Sequence, residues 1–185
     1  MPVVISLLRA VNVGGHSTIK MEELRALYAS LKLKDAQSYV QSGNVVFRTD
    51  ETDLPKLAKR IQAGIEKRFG AKPEVILRTT AEMRDVVARN PFAKRRGIEP
   101  GKLLVSFLGA KLDKALCEEL RAFALTSEEI VPSGCELFIY FSNGIGKSKL
   151  PWAKVEKICT MRGTGRNWNS VTKLLAMAEA LESAK

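Results

Sequence analysis

Chemistry in this chain has few residues to draw on, beginning with a single histidine, His16. One imidazole excludes a histidine-based metal centre and the HExxH arrangement, and it leaves a Ser-His-Asp set only if His16 supplies the base from a loop. Cys117, Cys135 and Cys159 are odd in number and 18 and 24 positions apart, which suits neither a disulfide framework nor a zinc knuckle. They read as reduced thiols, and none lies on the glycine-rich turn that a nucleophile uses. The adjacent acids Glu118-Glu119 and Glu128-Glu129 diverge on a helix or point to opposite faces of a strand, so they read as solvated surface. No metal and no cofactor is expected.

Three polar loop clusters offer more. Arg9 to His16, with Arg9, Asn12, Gly14 and Gly15, and Gln41-Ser42-Gly43-Asn44 make the first. A guanidinium is a planar fork for phosphate or carboxylate, and glycines let backbone N–H groups approach an anion. The plainer alternative is that the glycines turn the chain while Arg9 and Asn12 bond carbonyl groups at a sheet edge. Phe141 to Ser148 ends in Gly146-Lys147-Ser148 like a P-loop, but Phe141 stands where the first glycine is required. A basic, glycine-rich turn that caps a helix, with Lys147 and Lys149, is the expectation instead. The third loop, Gly163 to Ser170, holds Arg166, Asn167 and Asn169 ahead of a final helix capped by Asn169 or Ser170. A solvent-facing Arg166 and the helix N-terminus would make an anion site there, with Trp168 filling a gap between the halves.

The elements that must position these loops follow from periodicity. Val3 to Val13 is a nearly continuous apolar run, a strand buried on both faces or under helices. Met21, Leu24, Leu27, Tyr28 and Leu31 recur at helical spacing, and Ala36–Val40 and Val45–Arg48 flank a Gly-Asn hairpin signal. A second helix with Pro55 in its first turn and Gly70 at its end leads to a strand over 74–78. This β-α-β-β-α-β order is the split β-α-β arrangement of a ferredoxin-like half over residues 1–80. A Thr-x-x-Glu capping box at Thr79 to Glu82 opens a helix, and residues 81–101 form that helix and a basic linker. The pattern restarts over 102–185. There Asp113 caps a helix, a turn falls at Pro132-Ser133-Gly134, a helix face uses Trp152, Val155 and Ile158, and a C-terminal helix closes the chain. The expected fold is α+β, with two ferredoxin-like halves built on antiparallel sheets.

In such a half the first two strands run parallel with the third between them, so the loop leaving strand one and the turn joining strands two and three share a sheet edge. The chain has 185 residues, 45% of them hydrophobic and 27% charged, as in an ordinary globular protein able to bury a core. No apolar stretch is long enough for a membrane span and no basic segment precedes the first apolar run, so no membrane and a cytoplasmic location are expected. The formal charge is +10, unevenly spread: residues 141–185 carry eight Lys and Arg against three Glu, and residues 84–102 six against two acids. Such patches attract nucleic acid, although the aromatic content of 6% and the lack of an RNP motif argue against base stacking of the RRM kind.

Leu7 to Gly15, Lys20 to Arg25, Tyr39 to Phe47, Asn90-Pro91-Phe92 and Arg166 to Val171 together resemble the domain-of-unknown-function family 1697, over nearly the whole chain. That family usually has Gly where this chain has Ala10, and Thr where it has Ser38 and Ser170. The resemblance implies a cytoplasmic α+β protein of ferredoxin-like parts and no particular activity. Three readings stand open. In the leading one, the polar loops bind a phosphate-bearing small molecule or a nucleic-acid backbone. In the second, an enzyme acts on a phosphorylated or nucleotide substrate, with Arg9, Asn12, Asn44 and Arg166 as positioning groups and His16 as base. In the third, the chain is a protein-interaction module without a small-molecule ligand.

Overall fold

Six consecutive buried residues, Val3–Leu8, form strand β1, and burial on both faces is why its sequence is apolar without alternation. The computed structural model describes residues 1–9, 11, 19–123 and 127–184. The chain divides into two units, Met1–Arg84 with Lys173–Lys185, and Asp85–Thr172.

In the first unit β1 is followed by α1 (Met21–Ser30), β2 (Lys34–Tyr39), β3 (Asn44–Arg48), α2 (Leu54–Phe69) and β4 (Val75–Thr79). The sheet order is β2-β3-β1-β4, and every pairing is antiparallel. Strands β1 and β2 therefore run parallel with β3 between them, as the split β-α-β arrangement requires. One sheet face packs Val4, Leu8, Val45, Phe47 and Leu77 against Leu24, Leu27 and Tyr28 of α1 and Leu57, Ile61 and Ile65 of α2. Tyr28 is fully buried, and its hydroxyl lies 2.8 Å from Ser6 Oγ, which satisfies both. Local chemistry sets the ends of α2. Asp53 Oδ1 accepts from Lys56 N at 2.9 Å, Pro55 occupies the first turn, and Gly70 terminates the helix in the left-handed region at φ +69°.

Helix α3 (Thr80–Ala88) opens on a reciprocal capping box: Thr79 N donates to Glu82 Oε2 at 2.7 Å and Glu82 N donates to Thr79 Oγ1 at 3.1 Å. The second unit then builds β5 (Leu103–Leu108), α4 (Lys114–Ala122), β6 (Glu128–Ser133), β7 (Glu136–Phe141), α5 (Trp152–Cys159) and β8 (Gly163–Asn167). Its order, β6-β7-β5-β8, repeats that of the first unit, again wholly antiparallel. Leu108, Leu137, Ile139 and Phe141 of the sheet pack with Leu120, Val155 and Cys159 of the two helices. The chain ends in α6 (Trp168–Ser183), and the Arg48 guanidinium donates to the carbonyl oxygens of Leu181 and Ala184.

Two local expectations change. Strand β6 continues through Pro132 and Ser133, which pair with Leu137 and Glu136, so the turn is only Gly134 and Cys135, with Gly134 at φ +66°. An edge strand tolerates Pro132 because it needs no ladder donor on its open side. Strand β8 also runs directly into α6, so the cap comes from Asn167, whose Oδ1 accepts from Ser170 N at 2.8 Å, rather than from Asn169 or Ser170.

Candidate functional site

Each unit gathers polar residues at one end of its sheet. In the first, Leu8 N donates to Gly43 O at 3.0 Å, and the register pairs Leu7 with Asn44, so the residue after β1 lies beside the β2–β3 turn. Gly43 sits at φ +74°, and a Cβ there would stand 2.8 Å from Leu8 Cβ. Asn44 is buried and donates from Nδ2 to Tyr39 O at 3.1 Å and to Ser42 Oγ at 2.9 Å, which ties the turn together. Arg9 N bonds Glu74 O at 2.9 Å, and its guanidinium lies 3.8 Å from Glu74 Oε2. Ser42, Gly43 and Asn44 thus lie at the sheet end where β1 finishes, while Arg9 turns to Glu74 on the other side of β1. Asn12, Gly14, Gly15 and His16 lie outside the described residues.

In the second unit, Leu103 pairs with Tyr140 and Leu104 with Asn167, so β7 and β8 end at the same end of the sheet. They flank β5, which sets their backbones about 10 Å apart. The loop after β7 is firmly held. Ser142 donates to Ser127 O from both N (3.2 Å) and Oγ (2.8 Å), and Gly144, at φ +88°, donates to Phe141 O at 2.9 Å. Ile145–Lys147 forms one 3-10 turn, Ser148 Oγ donates to Glu128 Oε1 at 2.5 Å, and Ser148 Oγ accepts from Leu150 N at 3.0 Å above a buried Leu150 side chain. The Ser148 hydroxyl holds the Glu128 carboxyl below its ordinary range. Lys147 and Lys149 are exposed and make no ion pair among the described residues. The Gly-Lys-Ser turn does not cap α5, because that helix begins only at Trp152, after Pro151.

Arg166 does not join those lysines at the surface. It pairs with Val105 across β8 and β5, its side chain is 7% exposed, and Nη1 donates to Thr164 Oγ1 and to Gly165 O, both at 2.9 Å. Burial pushes its guanidinium down to about 10. Asn167 and Asn169 are exposed, with the Asn167 carbonyl oxygen already spent on the helix cap.

Two features escaped the periodicity. Trp152, expected on the inward face of α5, is 40% exposed, with its ring centroid 6.4 Å from that of Phe141; Val155 and Cys159 face the core in its place. Being first in its helix, Trp152 lies at the margin of the sheet, where a 3.6-residue period no longer implies burial. The other is Arg89, which donates to Ser133 O (2.9 Å), Ser133 Oγ (2.6 Å) and Glu136 (2.9 Å), and pairs with Asp85 at 2.6 Å. Glu136 is 2% exposed, so this ion pair neutralises a carboxylate withdrawn from water. A strand glutamate in an apolar run was the available signal.

Among the described residues no helix is long and apolar enough to cross a membrane, and no three His, Cys, Asp or Glu side chains group as metal ligands. A structure titled as that of a conserved bacterial protein, SP0830, from Streptococcus pneumoniae is similar over 97% of this chain and 99% of its own, with TM-score 0.72 and 19% identity, a likeness of fold. No curated protein matches the chain. The model of a protein family of unknown function, DUF1697, matches residues 1–138, and the chain belongs to that family.

Proposed function

We propose that the second unit binds single-stranded nucleic acid at the end of its sheet where β7 and β8 finish. What carries this reading is an exposed Trp152 ring beside a rigid loop that presents Lys147 and Lys149 without ion-pair partners among the described residues. Ammonium groups neutralise backbone phosphates, and an exposed indole stacks on any base, contributing about 1–3 kcal/mol. A loop already held by hydrogen bonds loses little further entropy on binding. The overall charge of +10 raises the encounter rate. The end of the first sheet, where the Gly43-Asn44 turn meets the end of β1 and Arg9 follows, carries a second reading, a small phosphate-bearing ligand.

Fluorescence anisotropy with a labelled 12-nucleotide single-stranded RNA, together with Trp emission, tests the first reading. Binding at 50 mM salt, quenching of Trp emission, and loss of that quenching in Trp152→Ala are expected. No binding, or equal binding by Trp152→Ala and by Lys147→Ala/Lys149→Ala, would overturn it. So would binding to anionic vesicles with no binding to RNA.

A further inference from the structure

Among the described residues, helices α4 and α5 leave an open valley of about 720 Å³ between them. Its floor is Leu116, Phe123 and Ile158, each half-buried and resting on the core beneath. Its rims differ in charge: Lys154 and Lys157 stand on the α5 side and Glu119 on the α4 side. Both lysines are exposed and make no ion pair among the described residues, and their spacing of three puts them on one flank of α5, one turn apart. We propose that this valley receives an amphipathic helix of a partner protein, with acidic residues on the flank that meets Lys154 and Lys157.

The shape favours a helix over a small ligand. Small-molecule sites bury most of their occupant, whereas an open trough with an apolar floor and polar rims suits the helix-in-groove mode, in which residues at i, i+3 and i+7 seat on the floor. The walls, α4 with nine residues and α5 with eight, are about 12–14 Å long, which matches two to three turns of an incoming helix. Opposite charges on the rims fix its polarity, since an acidic flank laid against Glu119 would meet repulsion.

A displayed library of 14-residue helices, with Leu fixed at positions 3, 6 and 10 and all flanking positions randomised, is to be selected against the full chain. Enrichment of Asp and Glu on one flank is expected. The labelled selected peptide should lose at least tenfold in affinity for Lys154→Glu/Lys157→Glu, regain it when its acidic flank is changed to Lys, and bind Lys147→Ala/Lys149→Ala unchanged. The melting temperature of Lys147→Ala/Lys149→Ala should match the parent, and that of Lys154→Glu/Lys157→Glu should fall only slightly, as Lys157 leaves the last turn of α5. Selection without acidic enrichment, unaltered affinity for the reversed-charge variant, or failure of the Lys-flanked peptide to restore binding would each overturn the proposal. Displacement of the peptide from the Lys147→Ala/Lys149→Ala variant by decanoate or by the 12-nucleotide RNA would equally overturn it in favour of a ligand site.

Discussion

Arg166 is a basic residue whose surroundings invert the role its loop suggests. A guanidinium that is 7% exposed and bonded to Thr164 Oγ1 and Gly165 O is part of the packing of β8. Arg166→Ala removes that packing together with the bonds to Thr164 Oγ1 and Gly165 O, so a loss of about 2–4 kcal/mol is expected. A shift of the urea midpoint with an unchanged m-value would show it; an unchanged midpoint would mean that these bonds add nothing to stability. Cys159 makes a second residue-scale case. Burial pushes its thiol up to about 11, so at pH 8 roughly one in a thousand is ionised, against about a quarter for an ordinary cysteine. With a disulfide reagent at pH 8, Cys117 and Cys135, both less buried, should react first, and Cys159 only in urea. Modification of Cys159 at the rate of the other two would contradict its placement on the buried face of α5.

At the scale of elements, the β2–β3 hairpin shows how far local chemistry reaches. Gly43-Asn44 between two β-rich runs signals the turn, and the structure adds why glycine is needed: φ is +74° and Leu8 Cβ stands 2.8 Å from where a Cβ would be. Gly43→Val should therefore destabilise by about 1–3 kcal/mol, readable as a fall in melting temperature. Caps at Thr79 and Asp113 were legible for the same reason, since each depends on residues within four positions. The cap at Asn167, the two-residue turn at Gly134 and the exposure of Trp152 were not, because each depends on where a strand stops in its sheet, a long-range fact. The tether from Ser148 to Glu128 is of that kind too, and it gives a pH dependence. A carboxyl held below its ordinary value makes the tether fully effective above about pH 4.3 and weakens it as pH falls through the lower folded value. In NMR titration, Glu128 should titrate below an ordinary glutamate, and Ser148→Ala should raise it toward that value. A Glu128 carboxyl unmoved by Ser148→Ala would mean that the loop is not held there.

At the scale of the whole molecule, the charge of +10 raises a question that composition alone leaves open: whether polyanions meet a diffuse positive field or a defined site. Salt dependence separates the two, because the slope of log K against log salt counts the counterions released, about 0.7 per single-strand phosphate neutralised. A diffuse field spreads the slope over many lysines and arginines, so deleting any two changes it by a small fraction and leaves base identity and stacking without effect. A site built on Lys147, Lys149 and Trp152 behaves otherwise. Lys147→Ala/Lys149→Ala should make the slope shallower by about 1.4, whereas Trp152→Ala should lower affinity at every salt concentration and leave the slope unchanged, since stacking releases no ions. As a comparison of the same charge change, Lys56→Ala/Lys72→Ala removes two lysines of the first unit that pair with Glu51 and Glu66 and should leave the slope as it is. Equal slopes for both double variants would assign the binding to net charge, and the end of the second sheet would then have no claim as a nucleic-acid site.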